Sequence, residues 1–398
     1  MSRSRILLFS AAVSALAFVA SGRADELDPV SSSFSAEPAA SVPFDRALRP
    51  FERILRSAHP ELGYSFVRAQ GVLSAPGAEE TTTIQTVSLS TFFNLGQFIT
   101  FRYRPTWSYY SSEAFDNSFG QDMGAQFARS LSEWNFRAGH RFSDTSMPLV
   151  ETGMQTSQEI HETTLQAQRR LGARTVLELG FRQNTRRAEG FSSSENWSTE
   201  DWLQYQISET VGVAAGVELG YASVNNGNNM SYHQLNGRIN WRPTEKLGIA
   251  AHGGVETREF IDSDIDDART PVYGASITYA PFDQTTFTID GDQAVSASYF
   301  QSQVHRTNSW QATLSQRFLG RLNVSLSYRR RASSYSPTSA FVQANRQDEG
   351  RTWRVDIGTS LYNRGAITVF FQDKRNVSTD PRFAFDGHQI GLHLNVAY

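Results

Sequence analysis

The segment Phe385-Asp386-Gly387-His388-Gln389-Ile390-Gly391-Leu392-His393-Leu394-Asn395-Val396-Ala397-Tyr398 decides the fold. Ile390, Leu392, Leu394, Val396 and Tyr398 occupy every second position, with Gln389, Gly391, His393 and Asn395 between them. A strand sends successive side chains to opposite faces, so this segment has one apolar and one polar face. A half-buried edge strand of a soluble sheet would show the same alternation. What separates the two is repetition, because the pattern recurs along almost the whole chain.

The alternating segments are 62–72, 82–93, 97–109, 119–131, 134–143, 158–170, 175–186, 200–207, 211–224, 230–242, 247–260, 270–280, 285–296, 303–318, 321–331, 351–361, 366–377 and 385–398. They number 18, an even count. The connections at 94–96, 132–133, 171–174, 208–210, 243–246, 281–284, 319–320 and 362–365 are short. Those at 111–118, 188–199, 225–229, 261–269, 332–350 and 378–384 are longer and more polar. An all-β, antiparallel up-and-down barrel in a membrane has this layout, with short turns on one side and long loops on the other. Residues 293–303 carry no clear turn signal, so a 16-stranded barrel is the alternative. A barrel of either size encloses an aqueous channel unless something fills it.

The bulk properties agree. Mean hydropathy is −0.41 over the 398 residues, yet a transmembrane barrel escapes that measure because half of each strand is polar. Cysteine is absent, and 27 Phe and 14 Tyr suit lipid-facing strands and aromatic girdles. A net charge of −3 gives no global pull toward nucleic acid. Residues 1–24 read as a signal peptide: Arg3 and Arg5, an apolar core from Ile6 to Ala20, then the small-x-small site Gly22-Arg23-Ala24. That core is shorter than the roughly 20 residues a spanning helix needs. Residues 25–61 form a linker with one amphipathic stretch, Pro43 to Ala58. Phe44, Leu48, Phe51 and Leu55 share one helical face, Arg46, Arg49, Arg53 and Arg56 the other, and Pro50 interrupts the pattern. This stretch suits a short helix under the barrel mouth, a lumen plug or a docking site for a periplasmic export partner. The barrel itself spans 62–398.

The export signal, the strand count and the closing aromatic resemble those of bacterial outer-membrane β-barrels, porin-like proteins in particular. The resemblance implies a multi-pass barrel in the Gram-negative outer membrane, surrounded by lipid and lipopolysaccharide. It also implies that Ile390, Leu392, Leu394, Val396 and Tyr398 form the signal read by the barrel-assembly machinery.

Parity assigns the faces. Leu322, Val324, Leu326 and Tyr328 share the lipid face of the fifteenth strand, so Arg321, Asn323, Ser325, Arg329 and Arg331 share the lumen face. The same rule gives a pore-lining set: Arg102, Arg104, Arg137, Arg141, Arg182, Arg238, Arg317, Arg329, Arg331, Arg354, Lys374, Glu178, Glu218, Asp290 and Asp356. Arg170, Arg242, Glu256 and Asp292 share that parity. A charge on the lipid face near the midplane costs about 2–4 kcal/mol, so this parity carries information. Two readings fit the arginines. Arg–Glu ladders brace a wide polar wall, or rings of Arg concentrate negative solutes and bind carboxylate and phosphate in forks. The excess of inward Arg over acid favours anionic cargo.

Other chemistry is poorly supported. Asp262-Ser263-Asp264-Ile265-Asp266-Asp267 resembles the start of a calcium loop, but Asp267 and Tyr273 stand where Gly and Glu are required. The eight histidines show no metal spacing. No Ser/His or Asp/His constellation and no glycine-rich phosphate loop stands out, so the chain reads as a non-enzyme without metal or cofactor.

More narrowly, the chain resembles the β-barrel porin type 2 group, through the early Leu62-Gly63-Tyr64-Ser65-Phe66 strand and the many Arg- and Tyr-bearing strands. That group is associated with exopolysaccharide export, which implies a pore for an acidic sugar polymer. The lumen parity shows no regular file of aromatics for stacking sugar rings. The expectation is a channel for diffusion or export of small or polymeric anionic solutes. The alternative is a non-conducting structural or receptor barrel, plugged by its loops or by residues 43–58.

Overall fold

The computed structural model describes residues 60–72, 81–361 and 364–397. The signal peptide, the 43–58 segment and Tyr398 lie outside the described residues.

The strands are β1 (Glu61–Gln70), β2 (Thr82–Leu95), β3 (Ile99–Tyr110), β4 (Ser118–Leu131), β5 (Trp134–Leu149) and β6 (Met154–Arg170). There follow β7 (Thr175–Ala188), β8 (Ser194–Gln206), β9 (Val211–Val224), β10 (Met230–Thr244), β11 (Leu247–Phe260) and β12 (Ala268–Phe282). The last third holds β13 (Thr285–Ala297), β14 (Gln303–Phe318), β15 (Leu322–Pro337), β16 (Gln347–Leu361), β17 (Gly365–Ser378) and β18 (Phe385–Ala397). Each pairs antiparallel with its chain neighbours, and β1 pairs with both β2 and β18. The sheet is therefore a closed 18-stranded antiparallel barrel. Closure removes the edge that an open sheet would present, so backbone groups find partners inside the wall.

The alternation sets the register. Leu62, Phe66, Trp107, Leu179, Leu203, Leu235, Leu326, Ile357 and Ile390 are all more than a third exposed on one strand phase, as apolar groups in contact with lipid must be. Slipping any ladder by one residue would exchange this set for the polar one.

The strands run further at the loop end than sequence alone suggests. β5 and β6 extend through residues 144–157 to a tight turn at 150–153, and β8 begins at Ser194 instead of Glu200. The expected 332–350 loop shrinks to 338–346, because β15 and β16 stay paired up to Ser334 opposite Gln347. Segments rich in Ser, Thr and Asp look like loops, yet beyond the apolar band both faces of a strand are free to be polar. Arg321 is a correction: it lies in the turn before β15, its N–H bonded to Phe318 O at 3.1 Å. The segment that lacked a turn signal does turn, at 298–302. Ser302 takes a left-handed conformation there (φ 52°), and Ser298 N–H donates to Gln303 O at 3.0 Å.

At this turn the wall also folds inward. β13 pairs with β12 only from Thr285 to Asp292. Its tip then joins an apolar cluster of Ala222, Val224, Met230, Ala297 and Val304, with Phe260 and Val295 packed against it. β9, β10 and β11 supply the receiving side of that cluster. A second cluster, of Val67, Ala69, Val72, Phe115 and Phe370, seats the 111–117 loop through Phe115.

Candidate functional site

The inner face is identified by side chains that reach past their ladder neighbours, which only the concave side of a closed wall allows. Arg238 on β10 donates to Glu178 Oε2 on β7 at 2.8 Å, and these strands are not ladder neighbours. Arg238 also meets Gln204 and Trp202 of the intervening β8, so it reaches over β9 and β8 on the concave, inner side of the wall. Directly paired residues share a face, so register carries that phase around the ring. From Glu178 it passes through Gln168 to Asn135, and it includes Arg182, Arg137 and Arg141. Asp122, Arg102 and Arg104 follow on β4 and β3. In the other direction it reaches Glu218 and Asp290, then Arg317, Arg329, Arg331, Arg354, Asp356 and Lys374.

Many of these charges are neutralised in place. Asp122 receives Arg141 at 2.8 Å and Arg102 at 3.4 Å, and Arg104 lies opposite it. Arg354 makes a bidentate pair with Asp356, at 2.8–3.0 Å. Arg258 pairs with Glu256 at 2.8 Å, and Gln234 closes the second carboxylate oxygen at 2.7 Å. Asp290 accepts from the Ser276 hydroxyl at 2.6 Å. By contrast, Arg329 and Arg317 donate to amide oxygens of Gln311 (2.7 Å) and Asn323 (3.2 Å), which carry no charge. Glu218 faces Glu200 directly across the β8–β9 ladder, with Glu256 one strand beyond Gln234. The lumen thus carries carboxylates across β8–β13, interspersed with Arg238 and Arg258, and mostly cations across β14–β17, where Asp356 pairs with Arg354.

Aromatic rings on the lumen phase lie under several of these guanidinium groups. Arg238 sits 4.6 Å from the Trp202 ring, Arg258 4.6 Å from Tyr232, and Arg354 4.0 Å from Phe370. The rings fit because glycine stands opposite each of them, Gly216 and Gly220 of β9 for Trp202 and Tyr232 and Gly391 of β18 for Phe370. A Cβ at Gly216 would land on Trp202, and one at Gly220 on Tyr232. Sequence parity locates each aromatic, but their pairing with arginine depends on register.

Four loop-end segments meet over the mouth, and sequence reasoning did not find them. Glu151, in the β5–β6 turn, accepts from Ser298 Oγ at 2.7 Å and from Tyr299 N–H at 2.9 Å. Ser298 and Tyr299 belong to the β13–β14 turn, on the opposite side of the ring. Arg186 on β7 anchors the same turn through Ala297 O (3.1 Å) and Ser298 O (3.0 Å), and stacks 3.8 Å from the Tyr299 ring. Arg258 donates to Val295 O at 3.4 Å. Arg346, from the β15–β16 loop, donates to Glu151 O at 3.0 Å and to Tyr335 OH at 2.5 Å. It also pairs with Asp348 at 3.0 Å and lies 3.8 Å from the Phe383 ring of the β17–β18 loop. Phe300 packs edge-on against Phe383. Burial alone would push the Glu151 carboxyl up. His305, Arg186, the Ser298 hydroxyl and the Tyr299 amide outweigh it and hold the carboxyl below its ordinary value. We refer to this assembly as the latch.

In β18, Ile390, Leu392, Leu394 and Val396 pair with β17 and β1. Among the described residues no cluster of three or more His, Cys, Asp or Glu could hold a metal ion.

The molecule is thus an 18-stranded antiparallel barrel of the transmembrane type, with a charged interior bridged at its loop end. No protein-family model matches the chain, and neither does any curated protein. Among solved structures it is similar to Acinetobacter baumannii OccAB3, at 7% identity, covering 86% of this chain and 99% of that one, with a TM-score of 0.48. It is also similar to Pseudomonas aeruginosa OccK2 (OpdF), whose structure is a complex with glucuronate, at 13% identity, covering 86% and 98%, TM-score 0.47. A third is Pseudomonas aeruginosa OpdQ, at 11% identity, covering 86% and 98%, TM-score 0.45. Likeness this distant transfers neither substrate nor activity.

Proposed function

We propose that the chain is an outer-membrane channel that passes small anionic solutes and is narrowed or gated at its outer mouth by the latch. The observation that carries this reading is the lumen position of Arg317 and Arg329, which meet only neutral amides in the wall. A cation without a carboxylate partner is free to attract a passing anion. Paired arginines such as Arg354 serve the wall first. The finer reading is an acidic sugar polymer as cargo, which the resemblance to exopolysaccharide-associated porins suggests and the free cations suit.

The latch favours a second reading, a non-conducting barrel with a roofed mouth. Single-channel recording of the mature protein in planar bilayers under a salt gradient separates the two. Stable conductance with anion preference, lowered by Arg329→Ala, is the expected result. A barrel that inserts but never conducts, even with the latch broken, overturns the channel reading.

A further inference from the structure

We propose that the outward face of β14–β17 is a binding site for a phosphate-bearing lipid headgroup in the outer leaflet. The inference rests on the outer-membrane reading above and adds a specific lipid contact to it.

Three arginines stand in one row across adjacent strands: Arg330 lies directly opposite Arg351, and Arg351 directly opposite Arg375. They share the phase of Leu326, Ile357, Val369 and Phe371, which is the lipid face. Like charges set directly opposite destabilise a sheet. Glu349 compensates in part, accepting from Arg330 Nε at 3.1 Å and from Arg351 Nη2 at 2.7 Å. One carboxylate cannot neutralise two guanidinium groups. Arg375 has Asp386 opposite it and Asp373 along its own strand. Among the described residues, however, its side chain makes no hydrogen bond or ion pair. The row therefore presents N–H donors outward, toward lipid.

Its depth is set by the rings beneath it. Trp310, Tyr328 and Trp353 form a continuous outward patch, with centroids 5.1 and 4.4 Å apart. Arg330 and Arg351 each lie one outward step beyond these rings on their own strands, on the loop side. An aromatic girdle marks the membrane interface. A guanidinium row just beyond it sits at headgroup level, where arginine forks match phosphate oxygens. The apolar band below, from Tyr328 to Leu322 and from Trp353 to Ile357, would lie along the acyl chains.

The test is binding of bis-phosphorylated lipid A to the detergent-solubilised full barrel, followed by native mass spectrometry against phosphatidylcholine as the neutral comparison. The wild type should prefer lipid A. The triple variant Arg330→Ala/Arg351→Ala/Arg375→Ala should bind it about 100-fold more weakly. Arg187→Ala, on the outward face of β7, should bind as the wild type does. Heat-modifiable migration on gels verifies that each variant is a folded barrel. The lysine triple variant, which keeps the charge, provides a second measurement should the alanine variant misfold. It should bind more weakly than wild type but retain lipid A preference. Equal binding of lipid A and phosphatidylcholine by wild type overturns the proposal. So does undiminished binding by a folded triple variant, or displacement by an equal concentration of inorganic pyrophosphate. Because binding is read in detergent, a barrel that binds lipid A but does not conduct counts against the channel alone.

Discussion

Replacing Arg346 with alanine should release the latch. The side chain is 11% exposed and its partner Asp348 is 6% exposed. Removing one member of a buried pair leaves the other charged and unpaired, at a cost of about 3–5 kcal/mol. The variant also loses the bonds to Glu151 O and Tyr335 OH and the stack on Phe383. At 1.4 kcal/mol per decade, the closed-to-open ratio of the mouth should fall by roughly two to three and a half decades. The ladders of β15 and β16 extend well below this position, so the barrel itself should persist. Single-channel recording reads the effect as shorter or absent closed dwells. Arg346→Lys should be intermediate, because an ammonium can pair with Asp348 but cannot supply the planar fork. The double change Arg346→Met/Asp348→Leu removes the orphaned charge, yet leaves Glu151 O without its donor. It should therefore restore thermal stability without restoring closure. A folded Arg346→Ala barrel with wild-type dwell times and conductance would refute the idea that this contact controls the mouth.

Other outcomes follow from the same geometry. Arg329→Ala should lower the anion-to-cation permeability ratio more than Arg354→Ala, whose charge Asp356 already offsets; equal shifts in reversal potential would contradict this. The Glu151 carboxyl is held below its ordinary value of 4.5, so its contribution to the latch is present above that value. It should be lost as pH falls through the lower, folded-state value. Open probability should therefore rise only in acid, and Glu151→Gln should abolish the step; a step near neutral pH, or one that survives in the variant, would count against Glu151. Gly216→Val should push Trp202 off its seat and cost about 1–3 kcal/mol through overpacking, read as a lower denaturant midpoint with a shifted tryptophan emission.

Strand phase was the most legible feature of the sequence, because a period of two leaves only two choices per strand and the apolar residues choose one. Eighteen strands followed from that, and the doubtful segment at 293–303 proved to be a hairpin. Its turn has no glycine or proline because it is held from outside, by Glu151 across the mouth. The loop lengths were overestimated for a related reason: composition reports solvent contact, and strands that rise above a membrane meet solvent on both faces. Parity also says which way Arg354 or Arg238 points but not what it meets. Whether an inward arginine is spent on a wall carboxylate or left beside an amide depends on register between strands. The latch was invisible because it joins residues 147 and 195 positions apart, and no local pattern encodes which turns face each other across a ring.

The ladder between β1 and β18 has a kinetic consequence. It pairs Glu61 with Ala397, so ring closure waits for nearly the entire chain to be present and ordered. Loop-closure entropy grows only slowly with length, but contacts this distant in sequence are the slowest class to form. Until β18 docks, β1 and β17 each present an unpaired edge, and such edges attract strands from other chains. The seam is therefore both the last bond of the cylinder to form and the place where an arrested folding reaction would turn into aggregation.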